Sequence, residues 1–149
     1  MLGTSKRLVL ENDVVRLWYH PEERIVHHQF LKFIWGKQFR EVLNEGLKVF
    51  EHEGATKWLS DDRENSALSK DDTEWAMTDW FPRVAKAGWK HWSIVLPRNV
   101  IGQMNMTRFI AAYSARGLVV NVFEEPAAAL DWLERAGSPQ PRSRASEAT

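Results

Sequence analysis

Hydrophobic residues in the first thirty positions follow a two-residue rhythm. "RLVLEN" (7–12) and "VVRLWYH" (14–20) are rich in β-branched and aromatic residues, and Asn12-Asp13 between them is a turn signal. This predicts a hairpin. "HPEE" (20–23) marks a second turn, and "RIVHHQFLKF" (24–33) reads as a third strand. Alternation sets Val26, His28 and Phe30 on one of its faces and His27 and Gln29 on the other. The period then lengthens. Phe39, Val42, Leu43, Gly46, Leu47 and Phe50 recur every three or four residues, which predicts an amphipathic helix stopped by Gly54.

Strands and helices alternate from there. "TKWLS" (56–60) is a short buried strand, residues 69–87 are helical up to Gly88, and "HWSIVLP" (91–97) is a strand closed by Pro97. "NMTRFIAAYSARG" (105–117) has helical spacing, with Met106, Phe109, Ile110 and Tyr113 on its apolar face. "LVVNVF" (118–123) is a last strand. "EEPAAALDWLERAG" (124–137) is a last helix, with Pro126 in its first turn, Glu124 and Glu125 beside its positive dipole end, and Gly137 at its close. The order β-β-β-α-β-α-β-α-β-α predicts an α/β fold with a mixed sheet: an antiparallel meander, then parallel β-α-β units with right-handed crossovers and about four helices. Residues 1–137 read as one domain. Residues 138–149, "SPQPRSRASEAT", are small and polar and are expected to be a disordered tail.

Bulk properties narrow the chemistry. The chain has 149 residues, 44% hydrophobic and 27% charged, enough for one self-sufficient core. Twenty basic residues balance twenty acidic ones, so no global field favours nucleic acid or an anionic membrane. The absence of cysteine excludes disulfides, thiol nucleophiles and thiolate metal sites. The opening "MLGTSKRLVLEN" has no apolar run of signal-peptide length, and no stretch is long and apolar enough to span a bilayer as a helix. The expected location is cytoplasmic. Eight tryptophans are read as a Trp-rich core with a share at an interface, ahead of a dedicated aromatic ligand cage.

With "WLSDDRE", "DDTEWAMTDWFPRVAKAGWKHWSIVLP" and "VNVFEEPAAALDWL", this order resembles the STAS-like (SpoIIAA-like) family over roughly residues 8–135. These are small bacterial proteins akin in fold to anti-sigma-factor antagonists and, more distantly, to lipid-carrying CRAL-TRIO domains. The resemblance implies a non-catalytic, regulatory protein that works by protein contacts, as a homodimer or with another partner. Its relatives carry a phosphorylatable serine at a helix start. The nearest position here is Ser69, in "LSKDD", without the flanking Asp-Ser and Gly of that motif.

The residues themselves support plainer roles. Ser69 stands three before Asp72, a capping-box spacing, and Asp71, Asp72 and Glu74 suit the first turn of a helix. Asp61, Asp62, Arg63, Glu64 and Asn65 follow a strand, and Arg98, Asn99, Glu124 and Glu125 follow two others. Ligands of open α/β sheets bind at that edge. The group is therefore a candidate ligand or partner site, or a set of salt bridges pinning the loop. Trp75 and Trp80 are partner candidates on a helix that Pro82 should kink, with core packing the alternative. The resemblance to lipid-carrying domains further implies, as the alternative function, an apolar pocket between helices and sheet, lined by Trp58, Trp92, Phe109 and Tyr113, for a small apolar ligand or lipid. No metal site is expected, because His27 and His28 point to opposite faces and His20, His52 and His91 lack ligand spacing. Neither a phosphate loop nor a nucleophile elbow is present, so no cofactor and no catalytic residue is expected.

Overall fold

The computed structural model describes residues 6–137. The polar tail expected at 138–149 lies outside the described residues. Strands β1 (Arg7–Glu11), β2 (Val15–His20) and β3 (Ile25–Phe30) form the meander. Asn12 makes the first turn by accepting the Val14 N–H at 2.9 Å and the Val15 N–H at 3.1 Å through its side chain. Helix α1 (Gly36–Glu53) leads to β4 (Lys57–Asp61); α2 (Lys70–Trp75) and α3 (Phe81–Lys86) lead to β5 (His91–Val95); α4 (Val100–Ser114) leads to β6 (Val119–Phe123), and α5 (Pro126–Arg135) follows. The sheet order is β1-β2-β3-β4-β5-β6, antiparallel through β3 and parallel from β3 to β6.

Three right-handed crossovers moving the same way along a sheet must put their helices on one face. Val26, Trp58 and Trp92 stand side by side in register on that face and join Phe39, Phe50, Trp80, Trp89, Phe109 and Tyr113 in one core. Each buried indole needs a hydrogen-bond acceptor. Trp80 donates to the Leu43 carbonyl at 2.8 Å, Trp89 to the His91 carbonyl at 3.0 Å, Trp92 to Ser60 Oγ at 2.9 Å and Trp58 to His28 Nδ1 at 2.9 Å. Four of the eight tryptophans are thus buried core whose polar ends are satisfied. The other face is covered by α5, where Ala129 and Leu133 meet Ile25, Leu59 and Val95. Lys57 reaches from that face to the Leu133 carbonyl at 2.6 Å, and burial holds its ammonium below the ordinary lysine value.

Two helical segments differ from the periodicity. α4 begins at Val100, five residues before the first expected residue, because Asn99 Oδ1 accepts the Gly102 N–H at 2.6 Å and caps it. Apolar periodicity misses this turn because Val100 and Ile101 face outward. The segment carrying Pro82 is interrupted by a π turn, Ala76–Trp80, between α2 and α3. Proline removes one helix donor, and the wider turn absorbs the change. Tyr113 Oη donates to the Ala76 carbonyl there at 3.1 Å, tying the turn to α4.

Ser69 caps α2 as its spacing suggests, accepting the Asp72 N–H at 3.1 Å. The Asp72 carboxylate does not complete the box. It is buried, accepting the Gly36 N–H at 2.8 Å and Arg40 Nε at 3.1 Å, so it joins the starts of α1 and α2. Ser69→Ala is expected to lower unfolding free energy by about 1 kcal/mol, read as a shift in the urea midpoint.

His20 and His27 stack on the α5 side of the sheet, with Nε2 and Nδ1 3.2 Å apart. Burial, reinforced by neighbouring cations, lowers His20 to about 4 and His27 to about 3, from 6.5. The unfolded chain therefore binds protons at a higher pH than the fold does. The contribution to stability is complete above pH about 6.5 and is lost as pH falls towards 4 and then 3. The urea midpoint is expected to fall between pH 7 and pH 5, and His27→Phe should flatten that slope. An unchanged slope would exclude this pair as its origin.

Candidate functional site

In parallel β-α units the helices start at the carboxyl ends of the strands. That end of this sheet carries the segment before α1, the loop after β4 and the N-termini of α2 and α4. The polar residues expected to converge there do so largely in pairs. Asp61 holds Arg63 in a two-pronged contact, Nε at 2.9 Å and Nη2 at 2.8 Å. Glu64 holds Arg98 at 2.6 Å, and the Arg98 N–H donates to the Arg63 carbonyl at 3.2 Å. Asn65 Oδ1 accepts the Ile34 N–H at 3.2 Å, and Asn99 is engaged as the α4 cap. Glu124 and Glu125 are exposed; Glu125 lies close enough to favour the Arg63 cation. These contacts pin the loop.

Asp62 does something different. It turns under the α1–α4 layer, where its Oδ1 lies 2.7 Å from His28 Nε2, and both residues are almost fully buried. An indole N–H only donates, so the bond from Trp58 makes His28 Nδ1 an acceptor. His28 must then carry its proton on Nε2 and donate it to Asp62. Trp58, His28 and Asp62 form one directed chain across β3 and β4.

Beside this chain lies a cavity of about 50 Å³. Trp58, Trp92, Phe109 and Tyr113 are among its walls, as expected, and Ser66, Leu68, Pro97 and Met106 also line it. Its polar lining comes from His28, Ser60, Asp62, Asn65 and Ser66. His28 and Ser60 are not among the site residues that the sequence predicts. The available signal was a polar side chain on the inward face of each of two otherwise apolar strands.

The remaining candidates lie apart from the cavity's polar lining. Trp80 is buried in the core, where it forms part of the cavity's aromatic wall. Trp75, expected off the apolar stripe, is half-buried in a T-shaped contact with Phe39, and the Arg40 guanidinium lies 5.2 Å from its ring centre. Neither is a freely exposed anchor. The exposed large apolar side chains at this end are others: Phe33 and Trp35, stacked before α1, and Val100, Ile101 and Met104 in the first turns of α4. Ile101 and Met104 line a groove of about 570 Å³ between α2 and α4, with Leu68 and Thr73 on its opposite side. Among the described residues, no three His, Asp or Glu side chains are placed to hold a metal ion, and no helix is long and apolar enough to cross a membrane. No protein-family model and no curated protein matches this chain.

Proposed function

We propose that the chain is a STAS-like (SpoIIAA-like) bacterial cytoplasmic protein that acts without catalysis, by binding a protein partner through the carboxyl end of its sheet. The observation carrying this reading is the exposed apolar set there, with Trp35 59%, Ile101 67% and Met104 65% exposed. Single exposed apolar residues are ordinary, but Ile101 and Met104 share one groove, which marks a contact surface, and tryptophan, exposed at Trp35, is enriched at interface hot spots. Kinship with the family rests on the element order and on the segments that resemble it. Ser69, where relatives hold their switch serine, is exposed at the start of α2, next to the groove-lining Lys70.

A photo-crosslinking residue at Ile101, introduced in the native host, is expected to give a discrete protein adduct, either with another protein or with a second copy. Adding Trp35→Ala and Met104→Ser should remove the adduct without changing the urea midpoint by more than about 0.5 kcal/mol equivalent. The same residue placed at Glu51, on the exposed side of α1, is the control. Equal adducts from both positions would sink the reading.

A second reading, a carrier or sensor of a small ligand, is favoured by the aromatic cavity. Native mass spectrometry of protein from the native host is expected to show a bound small molecule, and consistently empty protein counts against it.

A further inference from the structure

The cavity beside the Trp58–His28–Asp62 chain has an unusual electrical character. Asp62 is 2% exposed, and its Oδ1 is taken by His28. Its Oδ2 accepts no hydrogen bond from the described residues, and the side chain lines the cavity. The hydrogen-bond direction set by Trp58 makes His28 a neutral donor to this carboxylate. Among the described residues, no lysine or arginine forms an ion pair with Asp62, whereas Asp61 has Arg63 and Asp72 has Arg40. A buried carboxylate without a countercharge is costly. The surrounding walls are largely aromatic, and aromatic rings attract cations placed over their faces.

We propose that this cavity binds a small organic cation, a primary alkylammonium whose charged head meets Asp62 Oδ2 and whose short apolar tail lies among Trp58, Trp92 and Phe109. Asn65 stands beside the same position with its Oδ1 engaged by Ile34, and Ser60 Oγ accepts from Trp92. About 50 Å³ accommodates roughly three to five heavy atoms, at about 10–15 Å³ for a water-sized group. The site therefore selects a short amine and excludes a long-chain lipid. This inference rests on the small-ligand reading of the cavity and is independent of the protein-contact surface at Trp35 and Ile101.

The test compares n-propylammonium with 1-propanol, which has the same number of heavy atoms and no charge. Binding is followed by the indole proton–nitrogen resonances of Trp58 and Trp92 on the full chain near neutral pH. Saturable shifts are expected with propylammonium, and binding about tenfold or more weaker with propanol. Asp62→Asn should erase that preference. Met106→Phe, at the wall formed by α4, should block entry while leaving the polar lining intact. The comparison on the unaltered chain needs no variant, so a failure of Asp62→Asn to fold leaves the proposal open to refutation. Equal binding of propanol overturns the cation proposal while keeping a ligand cavity. No saturable shift with either compound overturns both the cation proposal and the small-ligand reading.

Discussion

His28→Leu is expected to destabilise the fold by about 2–5 kcal/mol, measured as a lower urea midpoint with an unchanged slope. Leucine is similar in bulk to histidine, so the loss comes mainly from polar groups and not from a void. Trp58 Nε1–H loses its acceptor and Asp62 Oδ1 loses its donor, both inside the core. Leaving one buried group unpaired costs about 1–3 kcal/mol, and more when it is charged. The Trp58 indole resonance should move at the same time, since its hydrogen bond is gone. Asp62→Leu alone removes the acceptor of the His28 proton. Combined with His28→Leu, it should cost less than the sum of the two single changes, with a coupling of about 1–3 kcal/mol. Additive losses, or a His28→Leu midpoint within about 0.5 kcal/mol of the unaltered protein, would show that the chain does not act as a unit.

The parts of this chain differ in how readable they are from sequence. Alternation along β3 was enough to put His28 inside with Val26 and Phe30, because side chains on a strand can only take two directions. What His28 touches was not readable. Asp62 is 34 residues away, and the pair exists because β3 and β4 are parallel neighbours in a register that sets His28 against Ser60. Periodicity names elements and leaves their neighbours open. The same limit explains the acidic loop. Asp61 and Asp62 look alike in sequence, yet successive residues at a strand end point to opposite faces, so one meets Arg63 and the other meets the cavity. The four aromatic wall residues, Trp58, Trp92, Phe109 and Tyr113, are expected together only through the resemblance to lipid-carrying domains, and they do share one layer of the core. Trp35 and Ile101 carry no periodic signal, because exposure is set by what does not pack on them.

Gly46→Ala is expected to destabilise the protein by about 2 kcal/mol or more, although alanine is the better helix former. In an exposed helix this change gains about 1 kcal/mol. Here α1 lies so close to the sheet that a Cβ at Gly46 would stand 2.2 Å from Trp58 Cη2 and 2.7 Å from Cζ3. Overpacking of a core costs about 1–3 kcal/mol and sometimes more, and this ring has little freedom to retreat. It stacks on Phe50 with centroids 5.8 Å apart, meets Trp80 edge-on at 5.3 Å, and is tethered by its N–H to His28. Relief by moving the indole would strain the Trp58–His28–Asp62 chain, so the cavity and the helix contact are mechanically joined. The urea midpoint of Gly46→Ala should fall, and the Trp58 indole resonance should shift with it. Lys48→Ala, exposed on the same helix, should stay within about 0.5 kcal/mol. Trp58→Leu removes the obstructing ring at a cost of its own, and in that background Gly46→Ala should become neutral or stabilising. Destabilisation of the same size in both backgrounds would mean that Gly46 is needed for a reason other than the approach of Trp58.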